Sequence, residues 1–265
     1  MKISPKIRHI ITWVTLSLYL IVSMAFVIDS RNKALCTSID VHILDSNRNR
    51  FIDETDIIVL LNASKEKFLG YGLISINTEA LEKYVEAFPP VKKVEIYYSI
   101  NGVMNFDVKQ REPIVRVMGQ DFKSYYIDLE GTIMPLSQKY TSYVPVVSGV
   151  VKTPFVVKNA SSVIPTDSAN VHQKLLYDIY LLSYYIHKHS FWKLQVEQIY
   201  INSEREFELI PRIGNQLIIF GDIDNYEYKF GKLKSFYLKT LPYVGWNTYN
   251  EINIQYSNQI ICKKR

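Results

Sequence analysis

The chain has 265 residues, of which 48% are hydrophobic and 22% charged, a composition typical of an ordered protein with one large or two modest domains. That composition excludes a disordered or collagen-like chain, and two cysteines are too few for a disulfide-framed secreted domain. The formal net charge of +5 is too small to predict a nucleic-acid-binding surface. The aromatic content of 13%, with 20 tyrosines, favours half-buried strands.

The first predicted element is an apolar run, residues 10–28, that contains no charged residue, glycine or proline. As a helix this run would be about 28 Å long, close to the roughly 30 Å of hydrocarbon in a bilayer, so it predicts a transmembrane helix. Basic residues are slightly more numerous before the run than after it: Lys2, Lys6 and Arg8 against Arg31 and Lys33. This bias favours a cytoplasmic tail at residues 1–9. The alternative is a cleaved signal peptide, although the apolar core of such a peptide is usually shorter.

Residues 38–111 form the first predicted domain, with the order strand, helix, helix, strand, strand. The predicted elements are a strand around Ile39–Ile43, a helix capped by Asp53, a helix near Thr78–Phe88, and strands at Val91–Ile100 and Val103–Gln110. Asn101 and Gly102 are predicted to be the two central residues of a tight hairpin turn. No residue pattern in this domain indicates catalytic chemistry.

Residues 112–265 form the second predicted domain, a mostly antiparallel β domain with helices on one side, so the whole chain is predicted to be α+β. The predicted strands are 125–129, 132–136, 195–202, 206–212, 216–220 and 249–261. One helix is predicted from a cap at Asp167 or Ser168 to about His189, and a second at Tyr226–Leu241. Apolar residues recur at helical spacing in both: Val171, Leu175, Ile179, Leu182 and Ile186, then Phe230, Leu233, Tyr237 and Leu241.

Candidate catalytic and metal-binding residues are few, and they form no recognisable constellation. His187 and His189 lie two apart on a predicted helix, so their side chains diverge and cannot easily chelate one metal ion. Asp128 is predicted to be a turn residue at a strand end rather than a catalytic acid. The sequence therefore predicts no catalytic residue, no cofactor and no metal site. Cys36 and Cys262 are either free thiols or a partly oxidised pair, since sequence does not set their distance.

The last predicted strand, Tyr249–Ile261, is the candidate binding surface. Ile252 and Ile254 alternate with polar residues, so one face of this strand is predicted to be buried. A C-terminal strand often lies at a sheet edge, where unpaired backbone groups allow another chain to add a strand. The alternative is a terminal strand that is already paired and protected by the basic residues 263–265.

The order of these features resembles the FtsQ/DivIB cell-division proteins, in the form found in Bacteroidota. The resemblance rests on the anchor, a β-α-α-β-β module of the POTRA type, and the step Gln110-Arg111-Glu112-Pro113 into the following domain. Further matching segments are Tyr126-Ile127-Asp128, Met134-Pro135-Leu136-Ser137, residues 144–149, residues 196–200, Leu209-Ile210-Pro211, Phe220-Gly221, Lys232-Leu233 and residues 252–256. The similarity covers nearly the whole chain.

The resemblance implies a non-enzymatic cell-division scaffold in the inner membrane, with a cytoplasmic N-terminus, a periplasmic POTRA domain at 38–111 and a β domain at 112–265. It would act at the septum, where the POTRA domain serves recruitment, and bind the coiled-coil division proteins FtsB/DivIC and FtsL by strand addition. It would thereby help to recruit and regulate septal peptidoglycan synthesis. The residues that match the family's partner-binding segment are Tyr256, Ser257, Asn258, Gln259, Ile260 and Ile261. Gln259 stands close to a position where better-known branches carry glycine.

Two other classes of protein compete with this interpretation. A membrane-anchored POTRA chaperone or assembly factor predicts several POTRA repeats or a long barrel of alternating strands, and the sequence predicts one module. An anchored periplasmic enzyme needs a cluster of polar residues in a cleft. Asp128 and histidine side chains converging in a deep pocket would favour the enzyme.

Overall fold

The structure is a computed structural model that describes residues 5–64, 66–99, 101–121, 123–152, 161–165 and 171–265, without the side chains of 5–10, 26–33 and 171–172. The chain divides into two compact units, each built from several stretches of sequence. Unit 1 comprises the residues up to Leu44 together with Asp53–Glu86 and Lys93–Lys109. Unit 2 comprises Asp45–Ile52, Ala87–Lys92 and Gln110–Arg265.

Helix α1, Pro5–Lys33, contains the apolar run for which the sequence predicts a membrane span. Its described side chains, residues 11–25, are exposed except for the half-buried Ser23. In the described part of the chain, no helix combines the length and the apolar character needed to cross a membrane.

The remaining elements of unit 1 follow the predicted order of strand, helix, helix, strand, strand. They are β1 (Ser38–Ile43), α2 (Glu54–Asn62), a short 3₁₀ helix (Leu73–Ser75), α3 (Thr78–Glu86), β2 (Val91–Tyr98) and β3 (Val103–Gln110). The three strands form one sheet in the order β1-β3-β2, and β1 runs parallel to β3. Within the described part of unit 1, the 3₁₀ helix is an element that the sequence pattern did not indicate.

Helix α2 begins where the sequence predicts, because Asp53 caps it. The Asp53 carboxylate accepts the backbone N–H of Asp56 at 3.0 Å, and the Asp56 carboxylate accepts that of Asp53 at 2.9 Å, a reciprocal capping box. Ile57 and Leu61 lie four residues apart on one face and are fully buried. The cap therefore fixes the start of the helix, and the apolar pair fixes which face packs on the sheet.

Two boundaries in unit 1 differ from the prediction. Helix α3 ends at Glu86 rather than Phe88, because a residue that precedes proline disfavours the helical conformation. Gly102 donates its N–H to the carbonyl of Ser99 at 3.1 Å and has φ +82°. It is therefore the fourth residue of a turn that begins at Ser99, so the predicted tight turn with Asn101 and Gly102 at its centre is wrong.

In its described residues, unit 2 contains a ten-stranded sheet and four helices. The strands are β4 (Pro113–Met118), β5 (Ser124–Asp128), β6 (Thr132–Pro135), β7 (Val146–Gly149), β8 (Ser161–Ser162), β9 (Val196–Ile201), β10 (Phe207–Pro211), β11 (Leu217–Gly221), β12 (Tyr249–Asn253) and β13 (Ile261–Lys264). The helices are α4 (Val171–Lys188), α5 (Ser190–Gln195), α6 (Tyr226–Lys239) and α7 (Leu241–Val244). The order across the sheet is β13-β12-β11-β10-β9-β7-β4-β5-β6-β8.

The sheet of unit 2 is mostly antiparallel, as predicted. Among its described strand pairs, β4–β7, β7–β9 and β11–β12 are parallel and the others are antiparallel. Helices α4 to α7 all contribute to one buried apolar cluster with the sheet. The predicted helix faces are confirmed at Leu175, Ile179, Leu182, Ile186, Phe230, Leu233 and Tyr237, which are all buried. Helices therefore cover one face of the sheet.

The opposite face of β5 and β6 is covered by non-helical segments that contain Phe51 and Tyr140, rather than by a helix. Tyr126 and Met134 are buried there against Phe51, whose ring meets the Tyr126 ring edge-on at 5.6 Å. Tyr140 packs against the same Phe51 ring at 5.0 Å. Because Phe51 lies in the stretch Asp45–Ile52, this early segment belongs to the packed interior of unit 2.

Gln110 is a buried polar hub within unit 2, with 1% of its surface exposed. Its side-chain oxygen accepts the backbone N–H groups of Phe51 at 2.9 Å and Ile52 at 3.2 Å. Its side-chain nitrogen donates to the Asp45 carboxylate at 3.1 Å and to the Asn49 carbonyl at 2.7 Å. All of its hydrogen-bonding groups are therefore used to hold the segment Asp45–Ile52.

Arg111 forms a second hub, with Asp128. The Arg111 guanidinium donates to the Asp128 carboxylate at 3.0 Å and to the Pro89 carbonyl at 3.0 Å. Asp128 is 0% exposed and also accepts the backbone N–H groups of Glu130 at 3.0 Å and Thr132 at 2.6 Å. Burial raises the pKa of the Asp128 carboxyl despite these lowering contacts. Asp128 is thus a turn residue paired with Arg111.

Several boundaries in unit 2 correct the prediction. Helix α4 ends at Lys188 and is followed by the short α5, and the predicted helix to Leu241 divides into α6 and α7 at Thr240. The predicted caps Asp167 and Ser168, and the side chain of Val171, lie outside the described residues. The single predicted strand Tyr249–Ile261 is two strands, because the chain reverses and β13 pairs antiparallel with β12.

Candidate partner-binding edge of unit 2

Strand β13 is the terminal strand at one edge of the ten-stranded sheet. It pairs with β12 in the register Ile252 to Cys262 and Asn253 to Ile261. An edge strand presents backbone groups on its outer side that another extended chain can use. This edge is therefore the candidate partner-binding surface of unit 2.

The direction of the backbone groups in β13 follows from two hydrogen bonds. The N–H of Ile254 donates to the Ile219 carbonyl at 3.0 Å, so the backbone N–H of residue 254 points toward β11. The N–H of Arg265 donates to the Thr248 carbonyl at 3.3 Å. Backbone groups alternate along a strand, so residues 261, 263 and 265 face β12. Cys262 and Lys264 therefore direct their N–H and carbonyl groups outward, to the open edge.

Most of the predicted binding segment lies beside this strand rather than in it. Tyr256, Ser257, Asn258, Gln259 and Ile260 lie in the loop between β12 and β13, and Ile261 begins β13. Ile260 is half-buried, whereas the other five are exposed. The predicted strand over residues 256–260 is thus wrong, whereas the predicted role of the segment in partner binding stays a prediction, and the open edge begins where the segment ends.

Lys232, on α6, fixes this loop. Its ammonium donates to the carbonyls of Ile254 at 2.9 Å and Gln259 at 3.1 Å, and also to the carbonyl of Tyr256. Burial, together with the neighbouring Lys229 ammonium, lowers the pKa of Lys232 below its ordinary value. The Lys232 side chain therefore forms hydrogen bonds with three carbonyls, which lie at the two ends and in the middle of the loop.

A second contact and an unusual backbone conformation complete the loop. The Tyr228 hydroxyl donates to the side-chain oxygen of Asn258 at 3.1 Å. Asn258 has φ +61°, the left-handed conformation that asparagine tolerates better than most residues. A groove of about 540 Å³ runs between α6 and the loop. Its walls are formed by Tyr228, Gly231, Lys232, Ser235, Phe236, Lys239, Thr240, Asn258, Gln259 and Ile260.

Basic side chains surround the open edge. Lys263 pairs with Glu251 at 3.1 Å, and the Arg265 guanidinium donates to the side chain of Asn250 at 2.9 Å. Lys264 is exposed, and burial raises the pKa of the Cys262 thiol, which keeps it neutral. An incoming strand would therefore meet a basic border, which favours an acidic segment.

Replacing Lys232 with methionine is expected to loosen the loop, because methionine keeps an apolar stem and removes the ammonium that three carbonyls share. Amide hydrogen exchange in residues 256–260 should become about tenfold faster, which corresponds to the loss of roughly one charge-assisted hydrogen bond. Lys239→Met is the matched control, since Lys239 is exposed and lines the same groove, whereas the described hydrogen bonds to the loop carbonyls come from Lys232. Equal exchange in the two variants would contradict the proposed role of Lys232.

The structure also locates the residues that were considered in the sequence as candidates for catalysis, metal binding or disulfide formation. Asp128 is fully buried and held by Arg111. His187 lies 3.4 Å from Glu112, and burial lowers the pKa of this imidazole. No cluster of metal-ligating side chains occurs among the described residues, and Cys36 and Cys262 are both free thiols.

Comparison with protein families agrees with the division of the fold into a POTRA-like part and a β domain. Residues 34–109 match the model of the POTRA-like domain, and residues 112–263 match that of the FtsQ/DivIB, C-terminal related domain. A search of curated proteins finds no match. A POTRA-like module followed by this β domain defines a class of division proteins. The chain belongs to the FtsQ/DivIB family, whose members are non-enzymatic scaffolds, and membership implies a role in cell division, division proteins as partners and a place at the septum.

Proposed function

We propose that the protein is a non-enzymatic scaffold of the cell-division machinery that binds an FtsB/DivIC-like partner at strand β13 and acts together with an FtsL-like protein. The proposal rests on family membership and on one structural observation. That observation is the open edge at which Cys262 and Lys264 direct their backbone groups outward. Backbone pairing would supply affinity, and the basic border with the adjacent groove would select the partner.

The same proposal includes the arrangement of the chain in the cell. Residues 1–9 lie in the cytoplasm, residues 10–28 cross the inner membrane, and the domains at 38–111 and 112–265 lie in the periplasm. The support for the anchor is the uncharged apolar run itself. In this arrangement the POTRA domain serves recruitment to the septum, while the β domain holds the partner that regulates septal peptidoglycan synthesis.

Depletion of the protein is expected to block division while growth continues, so that cells become filaments several times the normal length. Phase-contrast microscopy during depletion, with membrane and peptidoglycan stains, measures cell length and septum number. Expression of the full-length chain from a second locus should restore normal length. Cells of normal length after depletion would contradict a division role.

Co-purification tests the partner directly. The full-length chain, tagged and solubilised from cells in a mild detergent, should retain an FtsB/DivIC-like and an FtsL-like protein that mass spectrometry identifies. An unrelated single-pass membrane protein with the same tag serves as the control. The absence of both division proteins from the purified complex would refute the proposed partners.

A further inference from the structure

Strand β2 forms one edge of the three-stranded sheet of unit 1. Such an edge carries outward backbone groups that can template the addition of another strand. The sheet of unit 1 therefore offers a second place where a partner or another copy of the chain could bind. The side chains beside β2 decide whether this edge is available.

Two carboxylates from α3 occupy the backbone donors of this edge. Glu86 accepts the N–H of Val94 at 3.2 Å, and Glu82 accepts the N–H of Ile96 at 2.9 Å. Glu82 and Glu86 lie four residues apart and so share one face of the helix. Val94 and Ile96 lie two residues apart and so direct their backbone groups to the same side of the strand. The two spacings match, and they place one carboxylate on each of these two outward N–H groups.

These two hydrogen bonds are harder to displace than hydrogen bonds from the same N–H groups to water. A carboxylate that accepts a backbone N–H forms a charge-assisted hydrogen bond, which is stronger than a bond between neutral groups. Both glutamates are half-buried, whereas Glu79 at the start of the same helix is exposed and pairs with Lys83. A strand that added to β2 would have to displace each carboxylate from the backbone N–H that it accepts.

We propose that Glu82 and Glu86 close the β2 edge to strand addition, and that the segment which would otherwise pair there is β2 of a second copy of the chain. Antiparallel self-pairing centred on Val94 places Lys93 opposite Glu95 twice, once on each side of the two-fold axis. Opposite charges in these positions stabilise a strand pair. This blocking of the β2 edge by Glu82 and Glu86, called the guard below, goes beyond the proposed function. It does not depend on whether β13 binds the partner.

The contrast with β13 shows what the guard changes. Within the described residues, no side chain is recorded as an acceptor for the backbone N–H of Cys262 or Lys264. The β2 edge therefore has two central donors covered by side chains of its own unit, whereas the outward donors of the β13 edge are open. This difference disfavours strand addition at β2 relative to β13.

The double variant E82A/E86A of the full-length chain, solubilised in a nonionic detergent, tests the guard. Amide exchange at Val94 and Ile96, followed by NMR or peptide-resolved mass spectrometry, should become about tenfold faster, as expected for the loss of one hydrogen bond each. Sedimentation velocity should show a concentration-dependent dimer where the unaltered chain is a monomer. E79A/E204A makes the same change in net charge at two exposed glutamates and should leave both readouts unchanged.

A third variant separates hydrogen bonding from charge. E82Q/E86Q keeps an acceptor oxygen at each position, so it should stay monomeric and retain most of the protection of both amides. Unchanged exchange in E82A/E86A, or a double variant that remains monomeric, would overturn the proposal. If the double variant does not fold, the single variants answer the question, because E82A must accelerate exchange at Ile96 alone and E86A at Val94 alone.

Discussion

Replacing Cys262 with proline is expected to raise the Kd for the FtsB/DivIC-like partner by about 10- to 100-fold. Proline lacks the outward N–H that an added strand would use and places its ring in the path of that strand. The loss of one or two backbone hydrogen bonds costs about 1–3 kcal/mol. Because the N–H of Cys262 faces away from β12, the pairing between β12 and β13 should survive, and thermal denaturation should change little. Isothermal titration with the purified partner gives the affinity.

Cys262→Ala is the matched control for this prediction. It removes the same half-buried thiol but keeps the backbone N–H, so its affinity should stay within about twofold of the unaltered protein. If alanine weakens binding as much as proline does, the side chain rather than the strand edge carries the interaction. If neither variant weakens binding, the partner does not add a strand at β13.

Replacing Gln110 with alanine is expected to lower the free energy of unfolding of unit 2 by about 3 kcal/mol. The substitution leaves the buried backbone N–H groups of Phe51 and Ile52 without their acceptor, and each unsatisfied buried group costs about 1–3 kcal/mol. It also removes both donors that hold Asp45 and Asn49. Urea denaturation, followed by the near-ultraviolet signal of the tyrosines, measures the loss.

Gln120→Ala is the control for the stability measurement, because the Gln120 side chain is exposed. Its substitution should change the free energy of unfolding by less than about 0.5 kcal/mol. An equally small change for Gln110→Ala would mean that water replaces the amide at the hub. The buried hydrogen bonds of Gln110 would then contribute little to stability.

Much of the fold could be predicted because the local signals were strong. The capping residue Asp53 marks the start of α2, and the helical spacing of Leu175, Ile179 and Leu182 marks the buried face of α4. The strand predicted at Val103–Gln110 likewise coincides with β3, in which the apolar Met104 and Phe106 are buried. Each of these signals depends only on residues close in sequence, which is the range over which periodicity is informative.

The elements that could not be predicted depend on distant contacts. Apolar and polar residues alternate from Ile252 through Tyr256, so the pattern continues past the point where the chain leaves β12. The reversal is set by Lys232, more than twenty residues earlier in the chain, which gathers carbonyls on both sides of the turn. Asparagine at position 258 is a turn residue by composition, but composition alone did not show that the chain doubles back there.

The structure places the open sheet edge at the end of the chain that the sequence analysis indicated, but in β13 rather than over residues 256–260, and the binding role of residues 256–261 stays a prediction. The family resemblance pointed to residues 256–261, whereas the outward N–H groups belong to residues 262 and 264. Lys232 appeared in the sequence only as part of a matching dipeptide. A lysine that bonds to backbone carbonyls of a distant loop carries no local pattern, so only the three-dimensional structure assigns it a role.

Gln110 and Arg111 have a practical consequence for any attempt to isolate the β domain. Adjacent residues in an extended chain point to opposite sides, so this dipeptide holds two separate segments, Asp45–Ile52 and Ala87–Lys92, within unit 2. A fragment that began at Glu112 would keep the whole matched β domain by sequence. It would nevertheless lose the counter-charge of the buried Asp128 and the ring of Phe51 that covers Tyr126. The start of the matched β domain at residue 112 is therefore a poor site at which to truncate this protein.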